Sequence, residues 1–263
     1  RMLLLLETAY KYVQSGKVCG IRLSTRPDYI DADILSILKR YGVTDIELGL
    51  QSTDEAVLAA SGRGHGRGVC FESSRLIVES GFTLGGQMMI GLPESTLEKE
   101  LQTAKDIVAM GAKSARIYPT VVFTGTALYD MAVSGGYTPI TNEEAAFRCA
   151  ECYKILEAAG VDILRIGLHA SEELKNAPFG ANHPAMGELV YSALALDGVR
   201  AQLNGADTKG KTLCIYAPSS KISAVAGHKG ANKQKLYEEY GFKRIKIINS
   251  KDDKITANIK AED

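Results

Sequence analysis

Apolar positions recur along this chain with two alternating patterns. Stretches with apolar residues three or four apart, the spacing of one helix face, alternate with short runs of Ile, Leu and Val that are hydrophobic on more than one side. Five times the same phrase occurs: an amphipathic helix, a glycine, then such a run ending in polar residues. The glycines are Gly16, Gly42, Gly81, Gly111 and Gly160, where a left-handed helix stop is expected. The runs after them read CGIRLSTRPD, TDIELGLQS, TLGGQMMIGLPE, KSARIYPT and DILRIGLH. Repeated αβ units predict a parallel sheet covered by helices, with its ligand site at the carboxyl ends of the strands. Arg26, Gln51, Glu94, Tyr118 and His169 fall at those ends. Asp31 precedes the stripe ILSIL, and Ser95–Glu98 and Thr141–Glu144 have capping-box spacing. The first helix starts at residue 1 with no strand before it. The pattern therefore reads as the C-terminal portion of a TIM-like (β/α) barrel whose first strands are missing.

After His169 the rhythm breaks. Residues 171–184 (SEELKNAPFGANHP) read as a loop, a helix is expected over 185–197, and NGADTKGK reads as a linker. The tail then spells strand (TLCIYA), short helix (SSKISAVA), the turn Gly227-His228-Lys229-Gly230, helix (ANKQKLYEEY) and two strands (RIKIIN, KITANI). The expectation is an α/β chain in two domains: a partial barrel at 1–200 and a small α+β domain of KH-like βααββ order at 201–263.

Charge changes this picture only locally. The 263 residues carry 31 basic and 31 acidic side chains, so no global field draws the chain to nucleic acid or membrane. Residues 209–254, however, hold eleven Lys or Arg against four Asp or Glu. MLLLL at positions 2–6 is far shorter than the roughly 20 residues of a membrane span, and no small-residue cleavage site follows it. The expectation is no membrane partner and a cytoplasmic location, in which the five cysteines, an odd and scattered set, stay reduced.

Several rim segments carry candidate chemistry. In Gly86–Glu94 an apolar strand ends in a glycine-proline turn before a capped helix; Met89, Ile90 and Gly91 form either a flat-ring site or an ordinary buried turn. Gln51 stands past a strand end, where its amide can bond a ribose hydroxyl or a carboxylate. Arg63 lies in the glycine-rich SGRGHG, either a bidentate carboxylate clamp or a solvated loop residue. Arg26 with Asp28 reads as a substrate group or a turn salt bridge. Arg116 and Tyr118, two apart in a strand, share a face. His169 and His65 are substrate contacts or loop hydrogen-bonding groups. Cys149 and Cys152 form a CxxC inside an apolar helix, where core packing outweighs redox or metal chemistry, and no metal site is expected. The GHKG turn, with Lys233 nearby, has the spacing that holds a nucleic-acid backbone, or simply joins two helices on a wet basic face.

The ordered segments STRPDY, YGVTDIELGLQS, RGHG, GGQMMIGLPES, RIYPTVVFTGTALY and HPAMGELV, over roughly residues 20–195, resemble the radical S-adenosylmethionine enzymes. The resemblance is to the branch that contains the Elongator catalytic subunit and coproporphyrinogen-oxidase-like proteins. It implies a partial (β/α)6 barrel, S-adenosylmethionine and a [4Fe-4S] cluster as cofactors, and hydrogen abstraction by a 5′-deoxyadenosyl radical, with tRNA modification as a candidate activity. It also implies that Gln51 meets the ribose or methionine part, Arg63 the methionine carboxylate, and Met89, Ile90 and Gly91 the adenine. Arg26, Arg116, Tyr118 and His169 would line the substrate cavity. The family's CxxxCxxC loop is absent, and the cysteine spacings of 51, 79, 3 and 62 residues cannot replace it. The expectation is a cluster-less, inactive fragment of such an enzyme. An RNA-binding module using Gly227, His228, Lys229, Gly230 and Lys233, or a non-radical barrel enzyme for an anionic substrate, are the alternatives.

Overall fold

A computed structural model describes residues 2–260, which fall into two compact units divided between Pro184 and Ala185. In the first unit the chain runs α1 (Met2–Gln14), β1 (Ile21–Thr25), α2 (Ala32–Arg40), β2 (Val43–Gln51), α3 (Glu55–Ala60), α4 (Arg67–Glu79), β3 (Thr83–Ile90), α5 (Leu97–Ala109), β4 (Ser114–Pro119), β5 (Val121–Val122), α6 (Ala127–Val133), α7 (Asn142–Ala158), β6 (Asp162–Ile166), α8 (Glu172–Lys175) and β7 (Phe179–Gly180). The five strands expected from the helix–glycine–strand phrase form one parallel sheet in the order β1-β2-β3-β4-β6. All five glycine stops have left-handed backbone, with φ of +69°, +70°, +83°, +81° and +72° in chain order. The segment 171–184 is not wholly a loop: it holds α8 and the two-residue β7, which pairs antiparallel with β5.

The pleat divides the sheet into two unlike faces. Ile46, Leu48 and Leu50 of β2, Met88 and Ile90 of β3, and Ala115 and Ile117 of β4 are buried with Ile77, Ile107, Cys149 and Leu156 of the covering helices. These side chains make the core, and each fully buried Leu or Ile contributes roughly 1.5–3 kcal/mol. The alternate positions form the inner face, described below.

Caps follow the expected chemistry with one shift. Asp31 accepts from the Ile34 N–H at 2.8 Å, and Thr141 from Glu144 N–H at 3.1 Å. The α5 cap, however, is Thr96, which accepts from Lys99 N–H, rather than Ser95. Ser95 is drawn off because Glu100 sits buried beneath it and accepts from Ser95 Oγ, Gly91 N–H and Arg148 Nη1 at 2.7, 2.7 and 3.2 Å. Burial pushes the Glu100 carboxyl above its ordinary value despite these donors. Tyr137 donates to the Gly91 carbonyl at 2.5 Å, so the turn after β3 is held from two sides.

The second unit contains α9 (Met186–Leu203), β8 (Thr212–Ala217), α10 (Ile222–Ala226), α11 (Ala231–Tyr240), β9 (Arg244–Asn249) and β10 (Thr256–Lys260). Its sheet runs β10-β8-β9, with β9 parallel and β10 antiparallel to β8, so the βααββ order holds. The unit starts at Ala185 rather than near 201, because α9 contributes Ala195, Leu196, Val199 and Leu203 to the same cluster as Leu213, Ile215 and Leu236.

Two glycine substitutions separate backbone strain from crowding. Gly111 has φ +81° with open space around a built Cβ, whereas at Gly91 (φ +77°) a Cβ would lie 2.7 Å from Ile140 Cγ2. Gly111→Ala is expected to cost about 1 kcal/mol in urea unfolding. Gly91→Ala should cost roughly 1–3 kcal/mol more, from overpacking against Ile140.

Candidate functional site

The inner face of the sheet is polar and organised by one carboxylate. The register sets Ser24, Glu47, Gly85 and Ser114 side by side, with Gly49, Gln87 and Arg116 in the next row. Glu47 is 3% exposed. It accepts from Arg116 Nε at 2.6 Å, Arg116 Nη2 at 3.2 Å and Gln87 Nε2 at 2.9 Å. Gln87 also donates to Ser24 Oγ at 3.0 Å, and Arg22 bonds Asp45 at 2.9 Å. Burial alone would raise the Glu47 pKa, but the bonds from Arg116 and Gln87 outweigh it and hold the carboxyl below its usual range. The Arg116 guanidinium is correspondingly held above its own. The sequence offered Arg116 and Tyr118 as a same-face pair; Glu47, Gln87 and Arg22 were missed.

A second cluster forms at the carboxyl ends of β1 and β2. Gln51 has φ +67°, a strained conformation for a non-glycine residue. A Cβ built on Gly49 would lie 2.9 Å from Gln51 Nε2 and 3.8 Å from Arg63 Nη2, so the glycine is where these two side chains converge. Arg63 Nη2 donates to the Gly49 carbonyl at 3.0 Å, while its Nε is buried with no partner. Burial, and then the charge of Arg26, lower the Arg63 pKa. Arg26 grips Asp28 with two bonds of 2.9 and 2.8 Å and lies over the Tyr29 ring. His65 is buried; its Nε2 lies 3.4 Å from the Leu50 carbonyl, a contact that needs the proton there. That leaves Nδ1 buried, unpaired and 3.9 Å from Asp28 Oδ1. Two crowded cations, an orphaned Nε and a strained amide make a rim suited to a carboxylate-bearing ligand.

Two expected adenine contacts lie away from the inner face. Ile90 is fully buried on the helix-facing side, and its carbonyl accepts from Thr120 N–H and Oγ1 at 2.8 and 2.7 Å. Gly91 is packed against Ile140, with its N–H given to Glu100 and its carbonyl taken by Tyr137. Its missing Cβ makes room for Ile140 rather than for a ligand. Met89 alone of the three lies on the inner face, in register with Tyr118. His169 is exposed beyond β6. In the second unit, Gly227 has φ +78° and a Cβ there would lie 2.6 Å from Asn232 N; Lys229 (φ +52°) and Gly230 (φ +81°) follow in left-handed backbone.

The cysteines do not fit an iron–sulfur cluster. Among the described residues no three His, Cys, Asp or Glu side chains are grouped to hold a metal. Cys149 and Cys152 are core residues of α7, as expected, and burial pushes both thiols up; Cys70 is pushed up to about 12. Nor does any described helix have the length and apolarity to cross a membrane.

The Glu47 pair generates a pH prediction. A carboxyl held low in the folded state adds stability above its unfolded pKa of about 4.3, and that stability is lost as pH falls through the lowered folded value. Glu47→Gln should cost about 3 kcal/mol at neutral pH, since it strands the Arg116 charge. It should also flatten the acid limb of a urea-midpoint-against-pH curve.

Comparison with known proteins accounts for this arrangement. Residues 2–107 match the Radical SAM superfamily and residues 112–195 the Radical_SAM C-terminal domain. Elongator complex protein 3 of Homo sapiens is 37% identical over 134 residues, 49% of this chain and 24% of that protein. The tRNA uridine(34) acetyltransferase of Methanocaldococcus infernus is 28% identical over 207 residues, 75% of this chain and 37% of that protein. The structure of the archaeal Methanocaldococcus infernus Elp3 with an N-terminal deletion aligns with a TM-score of 0.63 and 28% identity, over 68% of this chain and 42% of that one. The chain thus spans less than half the length of these relatives. With its parallel sheet, polar inner face and matched segments, the chain belongs to the radical SAM superfamily and is similar to its Elongator catalytic-subunit branch.

Proposed function

We propose that this chain forms the S-adenosylmethionine seat of a radical SAM enzyme that modifies uridine in tRNA. The observation that carries the reading is the rim over Gly49, where Arg63, with its buried unpaired Nε, meets the strained Gln51. Arg63 would hold the methionine carboxylate and Gln51 the ribose or methionine part. Met89 would border the adenine, while Arg116 and Tyr118 on the inner face and Arg26 and His169 at the rim would line the substrate cavity. When bound, the cofactor supplies the 5′-deoxyadenosyl group as a hydrogen-abstracting radical, in a step that requires a reduced [4Fe-4S] cluster. The described residues do not hold such a cluster. What these residues do is bind and orient: Glu47 keeps Arg116 in place, and Asp28 keeps Arg26 in place. This chain is proposed to bind the cofactor without cleaving it. The tRNA assignment rests on the similarity to the Methanocaldococcus infernus tRNA uridine(34) acetyltransferase. It carries with it a cytoplasmic location, with which five free thiols agree.

A second reading belongs to the second unit. Lys229 and Gly230 in consecutive left-handed backbone lead into α11, whose N-terminus has no side-chain cap. The Gly230 N–H is given to the Gly227 carbonyl at 2.9 Å and the Ala231 N–H to His228, so what favours an anion here is the N-terminus of α11 beside the lysines. We infer that Gly227, His228, Lys229 and Gly230, with Lys233 on the first turn of α11, receive an RNA backbone.

Calorimetric titration tests the first reading. The chain should bind S-adenosylmethionine more tightly than 5′-methylthioadenosine, which lacks the carboxylate, and release no 5′-deoxyadenosine. Arg63→Gln should erase that preference, a loss of about tenfold or more. An unchanged preference in the variant would refute the assignment of Arg63.

For the second reading, binding of a tRNA anticodon stem-loop should weaken with salt. In the doubly substituted Lys229→Ala/Lys233→Ala chain, the slope of log K against log salt should fall by about 2. Equal slopes would remove the RNA role of the turn.

A further inference from the structure

One cation on the inner face of the sheet has no partner among the described residues. The face carries Arg22, Arg116 and Arg165 against Asp45, Glu47 and Asp162, the last at the exposed start of β6 in register with Ser114. Arg22 is bonded to Asp45, and Arg116 to Glu47. Arg165 of β6 stands in direct register with Arg116 of β4, and the next pair, Ile117 with Ile166, is turned to the opposite, helix-covered side. Among the described residues Arg165 makes no hydrogen bond or ion pair. It is half-buried and one residue from the carboxyl end of its strand, the end at which parallel αβ sheets bind ligands. Two guanidinium residues on neighbouring strands, with one carboxylate already spent, leave a repulsion that an anion would relieve. The Tyr118 phenol, two residues along the same face of β4, adds a donor beside that position.

From this juxtaposition we infer that Arg165 is a substrate-binding residue that receives the phosphate of a nucleotide, with Tyr118 as the neighbouring donor. The inference rests on the reading of the inner face as the substrate cavity, and it is independent of where S-adenosylmethionine binds. It assigns the inner face two jobs. The Glu47 network fixes the wall, and Arg165 supplies the unpaired cation that orients what enters.

The test titrates the chain with uridine and with uridine 5′-monophosphate at low ionic strength. The nucleotide should bind about tenfold or more tightly than the nucleoside. Arg165→Gln should bring the two affinities together, whereas Arg75→Gln, a substitution at an exposed arginine of α4, should not. Arg165→Lys, which keeps the charge as a point donor, should retain part of the preference. The inference is overturned if the wild-type chain shows no preference for the nucleotide. It is equally overturned if Arg165→Gln leaves the preference intact, or if Arg75→Gln or Arg165→Lys removes it as completely. S-adenosylmethionine affinity, measured on the same variants, separates the two readings: it should be unchanged in Arg165→Gln. A chain that binds the nucleotide through Arg165 but no S-adenosylmethionine would keep this inference and lose the cofactor seat.

Discussion

A single buried carboxylate decides what the inner face of this sheet can be. Glu47 has almost no contact with water, yet it stays ionised because Gln87 of the adjacent strand and Arg116 of the strand beyond it spend three hydrogen bonds on it. The pair is a poor source of net stability, since taking both charges from water offsets most of their attraction. What it provides is order. Gly85 is required beside it, because a Cβ there would lie 2.9 Å from Glu47 Cγ. Gln87 ties the network on to Ser24 of the edge strand. The same sheet therefore carries an apolar core on one side and a charge-compensated polar wall on the other. The strands, expected to be hydrophobic on more than one side, instead alternate, because one face of the sheet is polar rather than apolar.

The rim follows from that wall. Gly49 continues the inner row from Glu47 toward the strand tip, and its missing side chain lets Gln51 and Arg63 fold in above it. Backbone strain is concentrated at the strand tips: the first unit's described non-glycine residues at positive φ are Gln51, the last residue of β2, and Glu94, in the turn after β3. Strain of about 1–3 kcal/mol persists only where surrounding structure enforces it. Glu94 is explained by its carbonyl, which accepts from Lys99 Nζ at 2.9 Å. Gln51 is held by the approach of Arg63 and His65 to the backbone around it, and that is the group whose polar atoms are left unpaired.

How much of this was legible depends on the range of the interaction. Helix periodicity, glycine stops and the caps at Asp31 and Thr141 are set by neighbours within a turn, and the sequence displays them directly. The cap at Thr96 was misplaced by one residue because the buried Glu100 claims Ser95, a tertiary competitor that no local spacing reveals. Met89, Ile90 and Gly91 were grouped because they are consecutive, whereas the pleat sends Met89 and Ile90 to opposite faces and Ile140 fills the space beside Gly91. Glu47 and Arg116 are 69 residues apart. Their pairing exists only through strand register, as does the neighbourhood of Arg165. The start of the second unit was read from the linker, but α9 had already committed its apolar stripe to the tail's core.

Membership of the superfamily does not distribute its chemistry evenly over the fold. Polar groups sit one or two to a strand tip, so a sheet of five strands can gather Arg26, Gln51, Arg63 and Tyr118 from widely separated positions. A cluster site instead needs several thiolates converging at one exposed place, each readily deprotonated. Here the cysteines are Cys70, Cys149 and Cys152 in the covered core, Cys214 buried in the second unit and Cys19 alone at the surface. Burial drives the first three thiols toward the neutral form that an iron site cannot use. The wall and rim are thus assembled from five strands, while a redox cluster has no seat among the described residues. The two properties part because one is built from register and the other from a single loop.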